Sequence, residues 1–251
     1  MIYITGDIHG DFRRFSTENF PEQKEMNKED FVLICGDFGG VWNASREENY
    51  WLDWLEDKPF TTLFVSGNHE NFDLLAQYPV RQWNGGKIQA IRPTILHLMR
   101  GQVFELAGRT FFTLGGASSH DITDGILDPD APNYRAQKKR LDARHGLYRI
   151  NHISWWADEL PDDADYAEAE RNLNRRSRQV DYMVSHCCPS SLVDLLGQGL
   201  YQHDRLTDYL ETLKDNCRFR YWFFGHYHDN LVLQRKYVLL YEQIMPLRPP
   251  Q

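Results

Sequence analysis

Short apolar, β-prone runs recur along this chain, and several end in a glycine followed by a residue able to hold a metal ion. The runs at 2–5, 31–35 and 62–66 predict buried strands of one sheet, separated by helical stretches at about 11–19 and 45–57. Within the second stretch Tyr50, Trp51, Trp54 and Leu55 share one helical face, which predicts a core-facing stripe; Trp42 just upstream is a candidate to line a site. A short helix is expected at 71–78. After Pro79 the pattern changes to strands at about 87–91, 95–99, 102–107 and 109–114, with Gly101 and Gly108 as turn signals, a meander expected to cross into a second sheet. From 180 the alternation resumes, with a strand over Val180–Ser185, helices near 190–196 and 203–215, and strands at about 219–224, 230–234 and 237–243. The proline-rich tail, 246–251, is expected to be loose.

The segment 116–179 fits this rhythm least. Asp130, Pro132 and Gly146 bracket a helix with a cap, a first-turn proline and a terminating glycine. It carries Arg135, Lys138, Lys139, Arg140 and Arg144, which read as a solvated face or as a basic lid over an anionic substrate. The acidic stretch 157–170 reads as a solvated helix flank, and Trp155 and Trp156 as core.

Composition changes the picture only slightly. With 251 residues, 41% hydrophobic and 25% charged, the chain is expected to form a single domain over 1–251 with an inserted lid-like segment around 120–150. No apolar run approaches the roughly 18 residues that span a bilayer, so no membrane partner is expected. A strand that begins at Ile2 and feeds Asp7 and His9 leaves no room for a cleaved presequence, from which cytoplasmic residence is expected. Cys35, Cys187, Cys188 and Cys217 have no metal or redox spacing and read as reduced packing residues. A net charge of −8 argues against broad electrostatic capture of nucleic acid, while a small phosphorylated substrate needs no basic surface. Oligomeric state is not legible.

The chemistry lies in five fragments: Asp7-Ile8-His9, Gly36-Asp37, Gly67-Asn68-His69-Glu70, Ser185-His186 and Gly225-His226-Tyr227-His228. Singly, each has a bland reading as a turn or a satisfied histidine. Together, all at predicted strand ends, they form an oxygen- and imidazole-rich set that suits manganese, iron or zinc, because loops at the carboxyl ends of neighbouring strands converge on one crevice.

In that order the fragments resemble the calcineurin-like metallophosphoesterase superfamily, over nearly the whole chain. The resemblance implies an α/β fold, a four-layer αββα sandwich of two mixed sheets flanked by helices. It implies two metal ions, manganese first and iron or zinc as alternatives, with Asp7, His9 and His228 on one, Asn68, His186 and His226 on the other, and Asp37 bridging. His69 is left unligated as the leaving-group proton donor, and Glu70 reads as a helix-start charge. Two such ions clamp the phosphoryl oxygens and supply a bridging hydroxide for in-line attack.

The protein serine/threonine phosphatases of this superfamily carry two phosphate-gripping arginines and an aspartate that orients the donor histidine. Here those positions fall at Ser66 and within Phe38-Gly39-Gly40-Val41-Trp42, which argues against protein phosphatase activity. Gly115-Gly116-Ala117, Ser119-His120-Asp121, Arg149 and Trp155-Trp156 match a further stretch of many members, and Arg149 is the expected phosphate-binding residue. The expected activity is a binuclear metal-dependent phosphoesterase acting on a small or nucleotide-like substrate. A nuclease of the same superfamily and a non-catalytic scaffold are the alternatives.

Overall fold

The structure, a computed structural model, describes residues 1–197 and 199–247. In chain order its elements are β1 (Ile2–Thr5), β2 (Phe31–Ile34), α1 (Arg46–Glu56), β3 (Thr61–Phe64), α2 (Phe72–Leu75), β4 (Val80–Trp83), β5 (Gly86–Arg92), β6 (Ile95–Leu98), β7 (Gln102–Leu106) and β8 (Arg109–Leu114). After these come β9 (Ile126–Leu127), α3 (Tyr134–Asp142), β10 (Arg149–Ile150), α4 (Asp163–Arg175), β11 (Tyr182–Ser185), α5 (Ser190–Gly197), α6 (Arg205–Asn216), β12 (Tyr221–Phe224), β13 (Leu231–Leu233), β14 (Tyr237–Leu239) and β15 (Met245–Pro246).

Two mixed sheets carry the fold, in the orders β15-β1-β2-β3-β6-β5-β4 and β13-β14-β12-β11-β8-β7. Their central strands are parallel and buried on both faces, which is why their sequences are apolar throughout rather than alternating. Alternate residues still choose different cores. Ile4, Leu33 and Leu63 of the first sheet meet Phe111, Val184 and Phe223 of the second between the sheets. Tyr3, Val32 and Phe64 point outward to Leu52 and Leu55 of α1, while Phe112, Met183 and Trp222 point outward to residues of α4, α5 and α6. The result is the expected four-layer sandwich. Thr5 pairs with Ile34 and Ile34 with Phe64, so three parallel strands end level on one side of the first sheet.

The meander crosses as expected: β5 and β6 complete the first sheet, and β7 and β8 begin the second. Several local expectations are corrected. The stretch 11–19 forms a single 3-10 turn over Phe12–Phe15, which ends where Ser16 is extended, followed by another that starts at Pro21 and runs to Glu25; Phe12, Phe15 and Phe20 are buried in the core. The helix at 71–78 shrinks to α2. On α1 the buried residues are Leu52 and Leu55, with Trp51 and Trp54 half-buried and Tyr50 in solvent, so the stripe is rotated from the one expected. α3 starts after Asn133, not Asp130, and ends before Gly146. Pro246 lies in β15 opposite Tyr3, while 248–251 fall outside the described residues. The four cysteines are free and buried. Among the described residues no helix is long and apolar enough to cross a membrane.

Candidate metal centre and substrate cavity

Five loops leaving the carboxyl ends of β1, β2, β3, β11 and β12 bring Asp7, His9, Asp37, Asn68, His186, His226 and His228 to one crevice, one to four residues past each strand. The backbone is bent to do so: His9, Asp37, His226 and His228 have φ of 50°, 46°, 71° and 49°. A left-handed conformation at a non-glycine residue is unfavourable and persists where the surroundings enforce it, commonly at functional sites. Two glycines allow close approach, since a Cβ on Gly67 would lie 2.0 Å from Asp37 Oδ1 and one on Gly225 2.1 Å from Asp7 Oδ1.

Donor atoms converge in two overlapping groups. His228 Nε2 lies 3.1 Å from Asp7 Oδ2, and His9 Nε2 lies 3.2 Å from His228 Nε2. His9 Nε2 is also 3.7 Å from Asp37 Oδ2. In the second group, His186 Nε2 stands 3.4 Å from Asp37 Oδ1 and 3.2 Å from Asn68 Oδ1. Ligand atoms bound at about 2.1 Å around one ion lie roughly 3.0–3.4 Å from one another, so these spacings fit metal coordination. Asp7, His9 and His228, like Asp7, Asp37 and His186, place ligand atoms within 4.8 Å of one another.

The surroundings aim these donors. His186 Nδ1 hydrogen-bonds Cys35 O at 2.8 Å, which leaves Nε2 facing the crevice. Asn68 Nδ2 donates to Ser119 Oγ at 3.2 Å, which turns Oδ1 inward; Ser119 is itself held by Glu159, through Oγ at 2.6 Å and N at 3.0 Å. Arg14 donates to the Thr5 hydroxyl, to Asp7 O and to Tyr241 O, tying the loop after β1 to the segment after β14. Glu70 is fully buried and accepts N–H groups of Phe38, Gly39 and Gly67. It therefore braces two ligand loops instead of charging a helix start, a correction to its sequence reading. Burial, then the Asp37 carboxylate, push its pKa up to about 8 against those three donors.

The electrostatics ask for cations. The side chains of Asp7 and Asp37 are 0% and 2% exposed, and among the described residues the ion pairs they make are with histidines. Burial disfavours a charge on His186, yet the Asp37 and Asp7 carboxylates outweigh it and push its pKa up to about 9. Asp37, despite the opposing effect of burial, is held well below the usual carboxylate range by His186, His69 and His9. Buried carboxylates so placed are stabilised by a bound cation, and the donor set fits divalent metals.

His226 reaches the crevice, its ring 4.9 Å from that of His186, and its Nε2 is 3.0 Å from His120 Nε2. His120 was not among the expected site residues; its signal was its place between Ser119 and Asp121 in a stretch common to many family members. His69 borders the cluster, with its N–H on Asp37 Oδ1 at 2.7 Å. Arg149 Nη2 lies 2.9 Å from His69 Nε2, while its Nε and Nη2 grip Asp121 at 2.7 and 3.1 Å. The guanidinium can only donate, so His69 Nε2 accepts in this arrangement. Burial lowers the His69 pKa to about 4, opposed by Asp37 and assisted by Arg149. Sequence reasoning also misses Glu159 and Arg14: the first lies in a stretch that reads as solvated, the second in a stretch that reads as helix. A cavity of about 300 Å³ is lined by Asn68, His69, His120, Arg149, Tyr201 and Tyr227, among others.

This fold and this convergent donor set agree with the family that the sequence resembles. The family model for calcineurin-like phosphoesterases matches residues 1–230, and the chain belongs to that family. It is also similar to lariat debranching enzyme of Caenorhabditis briggsae, 25% identical over 256 residues, with 90% of this chain and 46% of the relative covered. Lariat debranching enzyme A of Xenopus laevis is 28% identical over 258 residues, covering 90% and 42%, and the Homo sapiens enzyme 22% over 258 residues, with the same coverage. The chain thus spans less than half the length of these relatives.

Proposed function

We propose that this chain is a binuclear phosphodiesterase for a small or nucleotide-like substrate. Asp7, His9 and His228 would hold one ion, Asn68, His186 and His226 the other, and Asp37 both, with manganese the first expectation and iron or zinc the alternatives. The observation that carries this reading is the pair of buried carboxylates, Asp7 and Asp37, whose partners are imidazoles aimed at shared points. Metal ions held there supply an activated water and neutralise charge on the phosphoryl oxygens.

The chain's own residues do the rest. Arg149, anchored by Asp121, binds a phosphoryl oxygen and in turning to it releases His69 Nε2. His69 then takes up a proton at Nε2 and delivers it to the leaving oxygen, a role worth about 10²–10⁴-fold. The segment around 120–150 borders the substrate through His120, Asp121 and Arg149.

The test uses metal-stripped protein reconstituted with manganese and paired aryl phosphate monoester and diester substrates. Diester turnover that disappears in Asp37→Asn and falls in His69→Asn supports the proposal; a preference for the monoester, or full activity in Asp37→Asn, overturns it. The relatives' name favours a second reading, a nuclease that opens a branched nucleic acid. That reading expects kcat/KM to fall steeply with added salt, because phosphate contacts displace counterions.

A further inference from the structure

Three cavities border the reaction centre, one of them lined by Asp7, His9, Arg14 and Tyr241; the other two share a single lining residue, His69. The first of these two, beside Arg149, carries a guanidinium suited to a phosphoryl oxygen. The second, about 420 Å³, runs from His9 and His69 along the loop after β2 to the start of α1. Its lining contains no lysine or arginine, includes Glu47 and Glu48, and is walled by Trp42 and Trp51.

The walls are fixed before any ligand arrives. Glu48 accepts the N–H groups of Trp42 and Asn43, both at 2.8 Å, and of Ala44 at 3.1 Å. Asn71 Nδ2 holds Trp42 O at 2.7 Å, and the Trp42 ring packs edge-on against buried Trp156, with centroids 5.4 Å apart. On the opposite side, His9 N and Gly10 N are bonded to Asp37 O and Phe38 O. Trp51 is partly buried against the core beside Leu52 and Leu55, and its remaining surface borders this space. Rigid tryptophans, nearby Asn43 and Ser45 and no cation suit a flat, uncharged ring system and repel a phosphate.

Resting on the phosphodiesterase reading, we propose that this second cavity binds the leaving group, and that this group is a nucleoside, an alcohol whose flat, uncharged heteroaromatic base lies in the cavity. As water's oxygen bonds to phosphorus, the bond to the nucleoside oxygen breaks, that oxygen takes a proton, and the freed nucleoside lies against Trp42 and Trp51.

Methyl 5′-adenosyl phosphate tests which half sits where. The expected products are adenosine and methyl phosphate; adenosine 5′-phosphate with methanol would place the base in the other cavity and overturn the assignment. Relative to methyl glyceryl phosphate, kcat/KM for the adenosyl ester should fall about tenfold in Trp51→Ala, as expected for losing one stacking wall. An unchanged ratio sinks the proposal, and a variant that merely unfolds loses both substrates together. Methyl phenyl phosphate separates the sources of a flat ring: a fall confined to it, with the adenosyl ester unaffected, overturns a nucleoside site. If no diester is turned over, the phosphodiesterase reading fails. The cavity is then judged by saturation-transfer NMR on metal-free protein, where adenosine base protons should be saturated in wild type and not in Trp51→Ala, and absence of transfer in wild type overturns it.

Discussion

Asp7, Asp37, Asn68 and His186 stand on loops just past parallel strands and are almost wholly buried, whereas Arg149 begins a two-residue strand paired only with β9. Strands of the first kind are paired on both sides, over two to four residues a side, and packed by cores on both faces. The segment bearing Arg149 has one short ladder, with Arg149 N on Gly125 O and Asn151 N on Leu127 O, supplemented by polar side chains: Asp121 on Arg149, Asp124 on Leu147 N, Asp73 on Trp156 Nε1. A ligand cluster must keep donor atoms in place without its metal, and strand ends do that. A residue that moves with a substrate is better carried by a segment with few backbone ties.

The largest expected effect comes from breaking the cluster itself. Asp37→Asn removes the carboxylate that faces both ligand groups, so diester turnover should fall to background. Bound manganese, measured by mass spectrometry after dialysis, should fall below that of wild type. Arg149→Ala, on the other side of the comparison, should leave metal content unchanged while lowering kcat/KM about 10²-fold, the scale of a lost charged donor at a reacting phosphoryl group. Arg149→Lys should recover little, because a point charge cannot keep the two-pronged grip on Asp121. Metal loss in Arg149→Ala would show that the two regions are one unit.

Ser119 is where the contrast is least clean. It belongs to the stretch after β8 yet sets the amide of Asn68, a proposed ligand on the frame, and is set in turn by Glu159. Ser119→Ala frees that amide to turn, and manganese affinity should drop about tenfold by calorimetry, with the fold intact. An unchanged affinity would mean that His186 alone fixes Asn68 and that the frame is independent of its insertion.

The sequence exposes the frame and hides its supports for the same reason. The strand-end candidates are legible because apolar runs mark the strands and side chains able to hold a metal come directly after them: Gly36-Asp37 after 31–35, Ser185-His186 after 182–184. Glu70, Glu159 and Arg14 act on backbone groups or hydroxyls distant in sequence, Arg14 on Tyr241 O and Glu159 on Ser119, so no local pattern announces them. The polar edge strand β4 and the two-residue strands β9 and β10 exist through pairing rather than propensity. The periodicity around Trp51 identifies a helix and puts Trp51, Trp54 and Leu55 against the core, but it includes exposed Tyr50 and omits buried Leu52, because one helical turn of aromatic residues cannot set the centre of the core face to within one residue.

His97 sharpens the comparison by testing the frame alone. It lies in β6, 7% exposed, stacked on Phe64 at 4.9 Å with Nδ1 on Gln89 Oε1 at 2.9 Å and, among the described residues, no hydrogen-bond partner for Nε2. Burial, assisted by Arg100, lowers its pKa from 6.5 to about 3, so the folded chain keeps it neutral while the unfolded chain protonates it below about 6.5. The unfolded state thus binds the extra proton between those values, and stability falls as pH drops from 6.5 towards 3, by about 2 kcal/mol at pH 5. In urea unfolding at pH 7 and pH 5, His97→Gln should lose that much less than wild type over the interval. Its kcat/KM at pH 7 should match wild type, since no contact joins His97 to the cluster or to Arg149. Equal pH dependence in the two proteins would mean that the frame opens to admit the proton, and that it is no more rigid than the segment it supports.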